Sequence, residues 1–170
     1  MFFSGFCLEN EKELFKEYLI ENDYTISGFS YGAIGALKYA LYSSSIDIRV
    51  DLVQLFSPAF FNDKDKKYKR MQLMFFKKDT KKYCDNFLTN CGFNDEQRNK
   101  YFTQGKYEEL EELLYYNWDK KYLQMLKENG TKIEVYLGEN DKIVDTQKAL
   151  EFFIDCSEVY FFKNCSHILC

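Results

Sequence analysis

Apolar residues along this chain fall into five short runs, separated by stretches in which they recur every three or four positions. The runs are Phe2-Phe3, Tyr24 to Ile26, Leu52 to Phe56, Ile133 to Leu137 and Glu158 to Phe162. They are short and rich in aromatic and β-branched residues, as buried strands are. Between them the period lengthens. Glu11 to Glu21 places Leu14, Phe15, Tyr18 and Leu19 on one face, and helical patterns also cover Tyr31 to Tyr42, Lys106 to Trp118 and Thr146 to Ile154. Strands alternating with helices predict an α/β fold. The expected architecture is one domain over 1–170 with a mostly parallel central sheet of about five strands, covered by helices on both faces and joined by right-handed crossovers. Residues 58–129 interrupt the alternation. They hold no clear strand, only polar-aromatic helical patterns, so a helical insertion is expected there. Pro58, the only proline, marks the exit from the third strand.

Composition narrows the picture. Hydrophobic residues make up 46% and aromatic residues 19% of the 170 positions, enough for a sizeable core and incompatible with disorder. The 17 Phe and 14 Tyr exceed what a minimal core requires, so some are expected to line a pocket. No apolar stretch approaches membrane-spanning length, and the start of the chain lacks the basic and apolar regions of a secretory signal. A cytoplasmic protein with no membrane partner is the expectation. The six cysteines show no C-x-x-C spacing and there is one histidine, which cannot build a two-histidine metal site. Reduced thiols, no metal and no cofactor are therefore expected, with Cys7 as a small packing residue.

The chemistry is concentrated in Gly28-Phe29-Ser30-Tyr31-Gly32, which lies between a strand-like run and a helical one. A G-x-S-x-G segment in that context forms a sharp strand-to-helix turn that presents its serine as a nucleophile. The glycines suit such a turn by permitting positive φ and close approach of helix to strand. A serine hydroxyl is a poor nucleophile unless a base removes its proton and a third group orients the base. His167 follows the last strand-like run by a few polar residues, where α/β enzymes keep functional groups. Asp141 follows the run ending at Leu137. Asp145 is its rival, although it precedes a helical pattern and reads better as an N-cap, and Asp141 itself has the alternative of being only a turn residue. The order Ser30, Asp141, His167 is that of the α/β-hydrolases.

A second requirement is a pair of donors for the negative charge that develops on the substrate oxygen. The Tyr31 backbone N–H is one candidate. The abrupt strand and glycine turn Phe2-Phe3-Ser4-Gly5-Phe6 offers the Phe6 N–H as the other. Residues 64 to 82 carry nine basic side chains against two acidic ones, in a protein of net charge −4. This run reads either as a solvated helix face or as a site for an acidic partner. Nucleic acid fits poorly with the acidic remainder of the chain.

From Phe2-Phe3-Ser4-Gly5-Phe6 through Gly28-Phe29-Ser30-Tyr31-Gly32-Ala33-Ile34-Gly35-Ala36 to Ser166-His167, the chain resembles the BioV type of pimeloyl-acyl-carrier-protein methyl ester esterases, which are small α/β-hydrolases. Ser4 stands where many related enzymes carry histidine, so the match there is partial. The resemblance implies hydrolysis of the methyl ester on a pimeloyl chain held by acyl carrier protein, a step in biotin synthesis. It implies Ser30 as nucleophile, His167 as base and Asp141 as orienter, with a helical lid over 58–129. An acidic carrier would give the basic run a purpose, with Lys66, Lys67, Lys69 and Arg70 as contacts and Phe60, Phe61, Phe75 and Phe76 as candidates to line the acyl path. Two other readings stay open: a general short-chain esterase or thioesterase without a carrier, and a catalytically silent adaptor.

Overall fold

The computed structural model describes residues Met1–Cys170. Five strands, β1 (Phe2–Phe3), β2 (Thr25–Phe29), β3 (Leu52–Phe56), β4 (Lys132–Gly138) and β5 (Glu158–Phe162), form one sheet in the order β1-β2-β3-β4-β5. Every adjacent pair is parallel. β2 and β3 are buried along their whole length, as parallel strands covered by connections must be. All five runs seen in the sequence are strands, with β2 shifted to include Phe29 and β4 one residue longer at each end.

Helix α1 (Tyr31–Ser45) links β2 to β3 and α7 (Thr146–Phe153) links β4 to β5. Between β3 and β4 come five helices, α2 (Lys66–Lys78), α3 (Thr80–Cys91), α4 (Asp95–Tyr101), α5 (Tyr107–Tyr115) and α6 (Lys120–Glu128). Of these, α6 packs beside α1 and β4 as an ordinary crossover helix, while α2 packs on α3 and α5. The α5 helix is shorter than the pattern suggested. It stops at Tyr115 because Tyr116 turns extended and Trp118 is drawn into the core, its indole donating to the Ala59 carbonyl at 2.9 Å.

The expected helix over Glu11 to Glu21 is instead a 3-10 turn at Glu11–Phe15. Asn10 before it is left-handed, with φ 61, and the Gln54 amide caps the segment by bonding the Ile20 N–H and the Tyr18 carbonyl. The turn and the residues after it cover the sheet face bearing Phe29, Phe56 and Tyr136, with the Phe15 ring 4.8 Å from those of Phe29 and Phe56 and the Tyr18 ring 5.9 Å from that of Tyr136. Across that face Ser27, Gln54, Glu134 and Glu158 stand in one register row, and Gln54, Glu134 and Tyr136 satisfy each other by hydrogen bonds. The sheet is thus covered on both faces, and on the one bearing Phe29 and Phe56 the cover includes a 3-10 turn in place of the expected helix. No helix is long and apolar enough to cross a membrane.

Candidate active site

Ser30 sits between β2 and α1 with φ 52 and ψ −113, a conformation that L-residues avoid. Its backbone is held from three sides: its N–H donates to the Phe56 carbonyl at 2.9 Å, and its carbonyl accepts from Ala33 and Ala59. Of the two roles expected of the flanking glycines, close approach of helix to strand holds and positive φ does not, for the left-handed φ lies on the serine itself. A Cβ on Gly28 would stand 2.2 Å from the Gly32 carbonyl oxygen, and one on Gly32 would stand 2.0 Å from that of Phe3. Only two glycines let helix, β2 and the end of β1 approach so closely.

His167 lies in the loop after β5, buried, with its ring 5.1 Å from that of Phe29. Its Nε2 is 2.9 Å from Ser30 Oγ. Its Nδ1 is 2.5 Å from Asp141 Oδ2. Asp141 is supplied by the loop after β4, which is tied to the histidine loop by the Asn140 N–H on the Cys165 carbonyl and by the Asn164 N–H on Glu139. Gly138 and Gly92 make room for this packing, since a Cβ on either would press on Ser166. Asp145 accepts the Lys148 N–H as the N-cap of α7. Three residues spread over 137 positions of sequence thus form one unbroken hydrogen-bonded chain. Such a chain can withdraw the serine proton through an imidazole whose tautomer is fixed by the carboxylate.

The Phe6 N–H donates to no group of the protein, and Tyr31 opens α1, where a backbone N–H lacks an intrahelical acceptor. Phe3 pairs with Gly28 in the sheet and the Gly32 backbone presses on Phe3, so the segment leading to Phe6 runs beside the serine turn. Sequence reasoning missed what the Tyr31 side chain does. Its hydroxyl donates to Glu112 of α5 at 2.6 Å, and Lys38 of α1 pairs with the same carboxylate. Burial pushes the Glu112 carboxyl up, yet these two partners hold it below the usual carboxylate range. Also unforeseen, Cys7 and Cys84 of α3 lie buried with their sulfurs 2.8 Å apart. Burial, above all, pushes the Cys7 thiol up, and its side chain packs in the main core.

A groove of about 470 Å³ opens among α2, α3, α5 and the loop after β4. Phe61, Phe75, Tyr83 and Phe87 contribute aromatic surface, and Lys78, Lys82 and Lys142 stand at it, none in an ion pair. Phe87 also packs edge-on against Phe6, at 5.4 Å. Ile143, adjacent in the groove, donates its N–H to Asp141. Among the other aromatic candidates, Phe60 packs on Phe152 and Phe153, and Phe76 packs on Phe6 and Tyr83, both within the core. Lys66, Lys67 and Arg70 are exposed on α2, whereas Lys69 is half-buried with its ammonium 5.5 Å from the Tyr115 ring. No cluster of three or more His, Cys, Asp or Glu side chains is placed to hold a metal ion.

No protein-family model matches the sequence, and no curated protein is similar to it. Solved structures do match. BioG from Haemophilus influenzae superposes with a TM-score of 0.60 at 11% identity, covering 99% of this chain and 87% of that one. A hydrolase from Oleispira antarctica gives 0.60 at 9% identity, and a carboxylesterase of Nitrososphaera gargenis gives 0.58 at 17%. Those two share 85% and 84% of this chain, which spans only 58% and 57% of their length. The fold is that of the α/β-hydrolases.

Proposed function

We propose that this protein is a serine carboxylesterase that hydrolyses the methyl ester of a pimeloyl chain carried on acyl carrier protein. The observation that carries the hydrolase part is the contact chain Ser30 Oγ to His167 Nε2 to Asp141, all three side chains enclosed. Ser30 Oγ attacks the ester carbonyl as His167 accepts its proton, and the same imidazole then protonates the departing methanol. Water, deprotonated by His167, releases the free carboxylate. The N–H groups of Phe6 and Tyr31 receive the charge on the carbonyl oxygen. Residues 58–129 act as a lid whose α2 to α5 portion holds the groove that takes the acyl chain.

Three things support the carrier-bound substrate. One is the resemblance in motif. The second is α2, where Lys66, Lys67 and Arg70 are exposed beside Met71, Met74 and Phe75, an apolar and basic surface suited to an acidic protein. The third is the aromatic groove edged by unpaired lysines. The test is direct: incubate the protein with pimeloyl-carrier methyl ester and follow the carrier by mass. Loss of the methyl group, absent in Ser30→Ala, is expected. Equal hydrolysis of free and carrier-bound methyl esters would instead make it a general esterase.

A further inference from the structure

We propose that Glu11 is a positioning residue for the charge-stabilising loop, holding the Phe6 N–H in the direction from which it meets the developing negative oxygen. This rests on the serine-hydrolase reading given above. Glu11 has no solvent exposure, and carboxyl groups are seldom so buried without a cationic partner. It has none. Its Oε1 accepts the Gly5 N–H at 2.7 Å, and its Oε2 has no hydrogen-bond partner. The left-handed Asn10 leads into the turn on which Glu11 points inward. A residue buried at such cost, touching the loop one position before Phe6, calls for an explanation beyond packing.

The geometry of two peptide planes supplies it. The bond from the Gly5 N–H to Glu11 fixes the plane between Ser4 and Gly5. The Gly5 carbonyl accepts the Leu8 N–H at 3.3 Å, which fixes the next plane, the one that carries the Phe6 N–H. In a trans peptide the N–H points opposite to the carbonyl, so this donor is turned away from its own loop. It has no acceptor in the protein. A Cβ on Gly5 would lie 2.9 Å from the Phe29 ring, beside the serine, so the loop cannot retreat without losing that packing. Burial pushes the Glu11 carboxyl up, against the bond from Gly5 and a contact with Ser4.

The test compares Glu11→Ala and Glu11→Gln with wild type on p-nitrophenyl butyrate, with active sites counted by fluorophosphonate titration. A boronic acid serves as transition-state mimic and butyrate as ground-state ligand. Displacing one donor by a fraction of an ångström is expected to lower kcat per active site by about 10- to 100-fold in Glu11→Ala. The variant's KM and butyrate affinity are expected to stay within about twofold, while boronate affinity falls with kcat. Glu11→Gln keeps the acceptor oxygen and is expected to recover activity to within a few-fold. Glu11→Ala with unchanged kcat per titrated site, or Glu11→Gln as impaired as Glu11→Ala, overturns the positioning role; if Glu11→Ala does not fold, the Gln comparison alone decides. Wild-type turnover independent of Ser30 overturns the hydrolase reading and the role of Glu11 together, whereas Ser30-dependent turnover indifferent to Glu11 overturns the latter only.

Discussion

Asp141 holds His167 with one carboxylate oxygen and its own loop with the other. Oδ2 lies 2.5 Å from His167 Nδ1, and Oδ1 accepts the N–H groups of Ile143 at 2.7 Å and Val144 at 3.1 Å. The carboxylate is clamped by its backbone before it meets the ring. An amide cannot serve both sides: if its oxygen keeps the loop, its NH₂ faces the histidine and forces the other tautomer.

Asp141→Asn is therefore expected to lower kcat by about 10⁴-fold, the loss seen for the equivalent change in a well-studied triad. Asp145→Asn is expected to stay within a few-fold of wild type, because asparagine caps a helix about as well as aspartate. Parallel kinetics on one ester check this, and the reverse ranking would make Asp145 the orienting acid.

Ser30→Ala is expected to abolish turnover, a loss on the order of 10⁶ in kcat for a triad nucleophile, with a cooperative melt close to that of wild type. Fluorophosphonate labelling should vanish with it. Near-normal hydrolysis by the pure, folded variant would remove Ser30 from the chemistry.

His167→Ala is expected to lose activity and also stability. The ring is buried against Phe29, and its removal leaves both a cavity and an unpaired buried Asp141, together costing about 2–4 kcal/mol. Deleting Ser166 to Cys170 is a poorer test. Ile168 and Leu169 belong to the main core, so the truncation is expected to unfold the domain as well. Melting curves beside assays distinguish the two variants; a fully active, folded His167→Ala protein would end the triad assignment.

Gly32→Ala is expected to destabilise by about 3 kcal/mol or more, because its methyl would meet backbone that no rotamer change can move aside. Gly130→Ala is the control. Nothing lies within 4 Å there, so only its positive φ of 85° is strained, at about 1 kcal/mol. Denaturant melts of the two variants should rank in that order, and equal costs would mean the serine turn is looser than its contacts indicate.

Reversing Lys66, Lys67 and Arg70 to Glu is expected to raise KM for a carrier-bound ester while sparing hydrolysis of a small soluble one. Salt should imitate the variant, since exposed charges are screened beyond a Debye length of about 8 Å at physiological ionic strength. Lys69 is left in place because it packs over Tyr115. Loss on both substrates would indicate a damaged helix, and loss on neither would reduce α2 to a solvated face.

The sequence by itself determined the sheet, the helices after β2 and β4, and the order of Ser30, Asp141 and His167. Each of these is written in local periodicity or local turn chemistry, which depend only on neighbours along the chain. Asp145 as an N-cap was legible for the same reason. The 3-10 turn at Glu11–Phe15 was not, since Leu14, Phe15, Tyr18 and Leu19 imitate a helical face while Gln54 and Gly5, from other segments, compete for its polar groups. Only the tertiary structure decided that Glu11 turns inward, that Tyr31 reaches Glu112, that Cys7 meets Cys84, and that the left-handed φ falls on Ser30 rather than on Gly28 or Gly32. Those outcomes depend on which surfaces meet when β1, α1 and α3 pack together. A burial pattern states that a side chain leaves water; it does not state which distant partner receives it.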